Sequence, residues 1–256
     1  MSARPAALVT GARRGIGRAT CAALAARGFD VVGADLSEEG VAETAEAVEA
    51  AGGRFAFRQA DVAALENHAA LLDAAWDAFG GLECLVNNAG VGAMRRGDLL
   101  EVTQESWDRA FDVNVRAGFF LAQGVARRML AAGAPERARR SIVFVSSANA
   151  TLASPERGEY AASKAAVSMV ARVFALRLAE EGIAVHEIRP GVIRTDMTAP
   201  VAAAYDARIA AGLSPIRRWG EAEDVGRTIA LLAAGDLPFT TGDAFHVDGG
   251  LHLGRL

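Results

Sequence analysis

Lysine is almost absent from this chain of 256 residues: all but one of its 27 basic residues are arginine, and the exception is Lys164. Cysteine is nearly missing too. Cys21 and Cys84 are far apart in sequence, which excludes a disulfide framework and a cysteine metal cluster and fits a reducing compartment, the cytoplasm. No apolar run reaches membrane-spanning length. Residues 1–5 enter an apolar strand too short for the apolar region of a signal peptide. An excess of positive charge is lacking: the net charge is −4, which excludes a nucleic-acid footprint. Arg137, Arg139 and Arg140 form a local basic cluster, read as a solvated turn. The four histidines, His68, His186, His246 and His252, show no ligand spacing and are read as structural or surface residues, so no metal is expected. No Pro/Ser-rich linker and no repeat divides the chain, which reads as one domain over 1–256.

What is present is an alternation. With 52% hydrophobic residues there is ample material for a core. Short apolar runs at 6–10, 30–34, 54–59, 83–86, 141–146, 183–189 and 244–247 read as strands. Between them lie helical patterns at 14–27, 38–51, up to about 79, 106–130, 159–181 and 221–234. Strands alternating with helices imply parallel βαβ units with right-handed crossovers, hence an α/β, doubly wound sheet with helices on both faces. Residues 195–219 contain no strand and lie beyond the C-terminal end of the sixth one, where such sheets bind ligands; they are the expected lid over a substrate. The helices at 106–130 and 159–181 are apolar on more sides than one sheet face can cover. A second subunit is the expected partner.

The first strand runs into Thr10-Gly11-Ala12-Arg13-Arg14-Gly15-Ile16-Gly17, which opens a helix. Glycines at this point allow a tight turn and close backbone approach, and the helix N-terminus offers free N–H groups to a pyrophosphate. Asp35 closes the second strand and can accept both ribose hydroxyls of an adenosine; it can also act as a helix N-terminal acid. Its charge would repel a 2′-phosphate by about 4 kcal/mol at 4 Å and a surface dielectric. Arg13 and Arg14 pull the other way, toward such a phosphate. Asp61 and Val62 follow the third strand, placed for an adenine edge or a helix cap. Asn87, Asn88, Ala89 and Gly90 follow the fourth and shape a turn or line a cofactor groove. Asn114 is a polar residue in an apolar helix and needs partners or a water. Ser146 and Ser147 end the fifth strand. Pro190, Gly191, Ile193 and Thr195 leave the sixth, with backbone groups and a hydroxyl able to hold a carboxamide. Gly158, just before the next helix, is read as hinge geometry.

Lys164 stands four residues after Tyr160, one turn along a helix face. An ammonium beside a phenol favours the phenolate and lowers a pKa that starts at about 10. That would let the tyrosine act as an acid or base near neutral pH.

Together these motifs resemble the short-chain dehydrogenase/reductase family over essentially the whole chain: Thr10-Gly11-x-x-x-Gly15-x-Gly17, Asn87-Asn88-Ala89-Gly90, Asn114, Ser147, Tyr160-x-x-x-Lys164 and Pro190-Gly191. The resemblance implies a Rossmann-type, seven-stranded parallel sheet, hydride transfer with NAD(P) and a homotetramer, or else a dimer. It implies that Tyr160 is the acid/base, that Ser147 holds the substrate oxygen, and that Lys164 bonds the nicotinamide ribose and lowers the tyrosine pKa. Asn114 would support a water in the proton relay. The run 189–197 and the ending Val247-Asp248-Gly249-Gly250 are similar to the 3-oxoacyl-carrier-protein reductase branch. Two departures from that branch stand out. Asp35 suits NAD rather than NADPH, and Glu181 occupies a position that is often basic there and helps dock the carrier protein.

The leading expectation is an NAD-dependent enzyme, with NADP as the alternative cofactor. It would interconvert a secondary alcohol and a ketone on a small polar substrate such as a polyol or sugar derivative. An NADPH-dependent 3-oxoacyl-thioester reductase is the competing enzyme reading. A non-catalytic dinucleotide-binding sensor is the reading from another class.

Overall fold

The computed structural model describes residues 4–133 and 139–254, so Arg137 and residues 1–3 lie outside the described residues. Seven strands form one sheet: β1 (Ala6–Thr10), β2 (Asp30–Asp35), β3 (Phe55–Gln59), β4 (Cys84–Asn87), β5 (Arg140–Val145), β6 (Ile183–Pro190) and β7 (Ala244–Val247). Their order is β3-β2-β1-β4-β5-β6-β7 and every pairing is parallel. Strands covered on both faces have no reason to alternate apolar with polar. Accordingly β1, β4 and β5 are buried along their whole lengths.

Helices cover both faces. On one side α1 (Gly15–Ala26), α2 (Val41–Ala50) and α8 (Ala222–Ala233) bring Leu24, Val48, Val225 and Ile229 against Val9, Val31 and Val86. On the other, α3 (His68–Phe79), α5 (Gly118–Ala131) and α6 (Gly158–Leu178) bring Leu71, Leu121, Val125 and Val167 against Leu8, Leu85 and Ile142. The order of connection reverses between β1 and β4, and a crevice opens there at the C-terminal ends of the strands.

The pattern at 106–130 predicts one long helix, but the structure breaks it. Helix α4 (Gln104–Phe111) passes into a π-helical turn, Asp112–Ala117, before α5 begins. The buried Asn114 sits in that turn. Its side chain finds its partners outside the helix, on Val91 and Ser163; such one-turn bulges occur where a side chain is re-aimed at a site. Segment 195–219, which lacks a strand, carries α7 (Ala202–Ala210). It has its own small core of Tyr205, Ile209 and Trp219, pinned by a 2.7 Å bond from Trp219 Nε1 to Asp206 Oδ1.

Two expectations are corrected. Arg140 is not in a solvated turn but buried in β5, where it donates to the carbonyls of Met129 and Gly133 and so caps the end of α5; Arg139 is exposed and donates to Pro238 O at 2.7 Å. Gly158 does not precede the helix: it is the first residue of α6, with ordinary helical φ and ψ of −59° and −42°, and a Cβ there would meet only the end of the exposed Leu99 side chain.

The apolar surface of α6 is only partly covered. Met169, Val173 and Leu176 are exposed, Leu176 at 83%, and the i, i+4, i+7 spacing puts them on one face. No described helix is long and apolar enough to cross a membrane.

Cys21 and Cys84 are free and fully enclosed. Burial pushes both thiols up, Cys84 to about 12. Because the thiolate is the reactive form, the native protein is expected to show no reaction with an aromatic disulfide reagent, and two thiols per chain in guanidinium chloride. Both thiols lie in the core under α1, α2 and α8, so a thiol titrating in the native state would show that this face opens readily.

Candidate active site

The crevice is a cleft of about 1330 Å³. Its floor is built where β1 and β4 end. Thr10 Oγ1 accepts from the backbone N–H of Asn88 (3.1 Å) and Ala89 (3.0 Å), and Asn88 Nδ2 donates back to Thr10 O (2.9 Å) and Gly11 O (3.1 Å). The two loops are thus bolted to each other. Gly11 and Gly15 adopt positive φ, and a Cβ on Gly17 would lie 1.8 Å from Gly11 O, so the loop can fold back on the helix only with glycine there. Helix α1 has no side-chain cap and no acid in its first turn. Its first N–H groups therefore remain available to an anion, which is what a pyrophosphate needs.

Every residue assigned to cofactor binding from the sequence lines this cleft: Gly11, Arg13, Arg14, Gly15, Ile16, Gly17, Asp35, Asp61, Val62, Asn88, Ala89, Gly90, Tyr160, Lys164, Pro190, Gly191, Ile193 and Thr195. The two arginines beside Asp35 are both engaged with acids. Arg13 Nε is 3.3 Å from Asp35 Oδ1, and its backbone N–H donates to Oδ2 at 3.2 Å. Arg14 pairs with Asp196 at 2.9 Å. Asp61 Oδ1 accepts from Ala63 N at 2.8 Å, a local cap that leaves its second oxygen free of that bond.

At the other end stand Ser147, Tyr160 and Lys164, all buried and all lining the cleft. Lys164 Nζ lies 5.8 Å from the Tyr160 ring centre and donates to Val145 O at 3.0 Å. Ser147 Oγ accepts from Asn149 N at 3.1 Å and so caps the turn after β5. Asn114 lies behind Gly90 rather than in the cleft wall. It donates to Val91 O (3.0 Å) and Ser163 Oγ (2.9 Å) and accepts from Val91 N (2.8 Å); a Cβ on Gly90 would sit 3.2 Å from its Oδ1 and 3.3 Å from Lys164 Nζ.

The electrostatics differ from expectation. The net shift of the phenol is upward: burial pushes Tyr160 above the ordinary tyrosine value, with the Ser147 hydroxyl and then the Arg157 charge offsetting part of the rise. Lys164 is itself pushed down to about 8 by burial, with the negative charge of Glu187 working against that fall. Glu187 is a residue that sequence reading passed over. It is buried in β6, ion-paired to Arg189 at 2.8 Å and bonded to the hydroxyls of Ser146 and Ser168. Sequence reading also missed the wall above Tyr160. Arg157 stacks 5.3 Å over that ring and donates to Tyr205 Oη (3.4 Å) and Ser154 Oγ (3.1 Å). Arg96 and Arg208 line the same cleft.

A doubly wound parallel sheet with a glycine loop at its switch point defines a Rossmann-type dinucleotide-binding protein. A family model described as "Enoyl-(Acyl carrier protein) reductase" matches residues 11–252. A 3beta-hydroxysteroid dehydrogenase from Eggerthella lenta is 38% identical over 96% of this chain and 93% of its own. A 2-dehydro-3-deoxy-D-gluconate 5-dehydrogenase from Dickeya dadantii is 34% identical over 95% and 94%. The crystal structure of a 3-oxoacyl-[acyl-carrier protein] reductase from Brucella melitensis, in complex with NAD, superposes with a TM-score of 0.96 at 50% identity and covers all of both chains. The chain belongs to the short-chain dehydrogenase/reductase family and is an NAD(P)-dependent oxidoreductase acting on CH–OH or carbonyl groups.

Proposed function

We propose that this protein is an NAD-dependent dehydrogenase that interconverts a secondary alcohol and a ketone on a small polar substrate, a polyol or sugar derivative. The observation that carries the cofactor choice is the Asp35 carboxylate at the adenosine end of the cleft, with Arg13 held against it and Arg14 turned to Asp196. A 2′-phosphate would meet a carboxylate and would have to draw both arginines from their partners. Arg157, Arg96 and Arg208 support a polar substrate, since all three line the cleft that holds Tyr160. The 50% identity to a 3-oxoacyl-[acyl-carrier protein] reductase favours one second reading, reduction of a 3-oxoacyl thioester.

In this reading Tyr160 Oη passes the proton to and from the substrate oxygen, and Ser147 Oγ holds that oxygen. The positive charge of Lys164 stabilises the phenolate as it forms. Asn114 holds the Val91 turn so that Gly90 keeps its place between the two groups. When bound, NAD supplies the acceptor of the substrate's hydride. The uncapped first turn of α1 holds the pyrophosphate, and Asp61, Val62, Ile193 and Thr195 flank the cofactor's two ends. Residues 195–219 act as the lid that excludes water, residues 1–256 act as one catalytic domain, and the two free cysteines support a cytoplasmic location.

Tyr160→Phe is expected to keep cofactor binding and to lose turnover by about 10²–10⁴-fold, the usual worth of a general acid/base; a variant retaining more than half the wild-type rate would remove Tyr160 from the proton path. Lys164 carries its charge below about pH 8 and loses it as pH rises through that value, whereas arginine stays charged. Lys164→Arg should therefore lower kcat, because the wider fork does not fit, and shift the alkaline limb of kcat/KM to higher pH. An unaltered profile would detach Lys164 from the titration.

Wild-type enzyme is expected to prefer NAD over NADP by at least about tenfold, from two charge-assisted bonds worth roughly 1.5–3 kcal/mol each. Asp35→Ala should narrow that preference. The measurement is the ratio of kcat/KM for the two cofactors in both proteins, and a wild-type enzyme that favours NADPH would raise the thioester-reductase reading above this one.

The face of α6 carrying Met169, Val173 and Leu176 supports a homo-oligomer, a dimer or tetramer. Light scattering should give a mass well above 26.6 kDa for the wild type, and Leu176→Glu should shift the protein toward smaller species. A stable monomer at micromolar concentration would end this part of the reading.

A further inference from the structure

The last strand and the turn after it gather three side chains that lie outside the dinucleotide cleft. His246 is in β7, Asp248 just beyond it, and His252 past the following turn. The two imidazole rings are stacked, with centres 3.8 Å apart and planes 27° apart. Both direct Nδ1 at the same carboxylate oxygen, Asp248 Oδ2, at 3.5 Å from His246 and 2.8 Å from His252. One ligand atom from each of the three residues lies within 4.8 Å of the others.

The arrangement is built rather than accidental in its parts. Gly249 and Gly250 adopt φ of 63° and 84°, and this reversal carries His252 back over His246. Asp248 is fixed by bonds from Gly250 N (2.9 Å) and His252 N (3.1 Å). Its Cα lies 2.7 Å from the position a Cβ on Gly191 would take, so β7 and the loop after β6 close on it. His246 Nδ1 is shielded from solvent and has no hydrogen-bond partner, although a carboxylate oxygen stands just beyond bonding range. A buried polar atom in that condition costs free energy, and a ligand that bonds both nitrogens and the carboxylate at once would remove the cost.

The three residues line a second cavity of about 390 Å³. Val192, Ile193, Leu213 and Leu251 line both this cavity and the cleft and form a wall between them. Arg218 also lines the second cavity, but its guanidinium is bonded to Asp224 at 2.6 and 3.1 Å. Arg189, nearby, is paired to Glu187.

We propose that His246, Asp248 and His252 form a site for a divalent first-row transition ion, Zn²⁺ foremost, completed by water from the adjoining cavity. Two imidazole nitrogens and one carboxylate oxygen are a donor set that Zn²⁺ accepts, with bonds of about 2.0–2.2 Å in tetrahedral geometry. Such bonds put donors about 3.3 Å apart, between the two separations seen around Asp248 Oδ2. Binding requires His252 to carry its proton on Nε2 instead of Nδ1, a change of tautomer with no change of charge, and requires the two stacked rings to turn so that one ion lies in the plane of each. The ion would clamp the terminal turn to β7 and so stiffen the wall shared with the cleft. It would take no part in hydride transfer, and the site stands whether or not the proposed substrate class is right.

The test uses full-length, tag-free protein freed of metal by a chelator and then dialysed. Titration calorimetry with ZnCl₂ should show one ion per chain, and CoCl₂ should give the visible absorption of a tetrahedral or five-coordinate ion. Saturating Zn²⁺ should raise the Tm. His252→Ala, at a half-exposed position, and His246→Gln should weaken Zn²⁺ binding by more than about 100-fold and abolish the Zn²⁺-dependent rise in Tm, while the metal-free Tm of His252→Ala stays close to wild type. Absence of Zn²⁺ binding to the wild type, or binding that is equally tight in both variants, would overturn the proposal.

Discussion

The four hydrogen bonds between Thr10 or Gly11 and the Asn88–Ala89 backbone and side chain hold the site together. The sheet reverses its winding between β1 and β4, so the loops leaving these strands head toward opposite faces and would part without a tie. Thr10 Oγ1 serves as acceptor for two backbone donors of the β4 loop, and the Asn88 amide reaches back to two carbonyls of the β1 loop. Both exchanges are partly sheltered from water, and a lost partner at a fully buried group costs about 1–3 kcal/mol. The glycine turn, the open first turn of α1 and the placement of Gly90 against Asn114 and Lys164 all follow from that junction being closed.

Behind the catalytic candidates lies a second polar cluster, whose carboxylate bears on the charge of Lys164. Glu187, Arg189, Ser146 and Ser168 meet under β5 and β6, each satisfied by the others. Breaking such a buried pair by removing one partner typically costs about 3–5 kcal/mol. Its negative member also opposes the fall of Lys164, which burial alone would carry further. Tyr160 is driven the other way, toward the protonated phenol. Burial thus drives the two groups in opposite senses, the phenol up and the ammonium down.

Much of this was legible in the residues. The strands announced themselves because both faces of a parallel sheet are buried, and a run such as Ala6–Thr10 cannot be read as half-exposed. The Gly11–Gly17 loop, Asp35 and the Tyr160–Lys164 pair were visible because each depends on neighbours close in sequence. What depends on distant neighbours was hidden. Arg140 looks like part of a basic turn until the end of α5 is placed against it. Glu187 reads as an ordinary strand residue until Ser146, Ser168 and Arg189 converge on it. His246 and His252 have no recognisable ligand spacing, because only the double-glycine reversal makes them neighbours. The upward push of burial on Tyr160 was hidden for the same reason: one nearby charge can be read from spacing, whereas burial is a property of the whole fold.

The π-helical turn at Asp112–Ala117 has a consequence for how this region can vary. A regular α-helix advances about 100° per residue, and the wider turn takes up one residue without advancing the phase to match. Helices α4 and α5 are thus two segments joined out of step, each facing its own neighbours. A single-residue deletion in this turn would leave a smoother helix and a worse protein, because it would rotate Leu121 and Val125 away from the sheet or draw Asn114 off Val91. A substitution on the exposed side would disturb neither. The length of this stretch is therefore constrained more tightly than its composition.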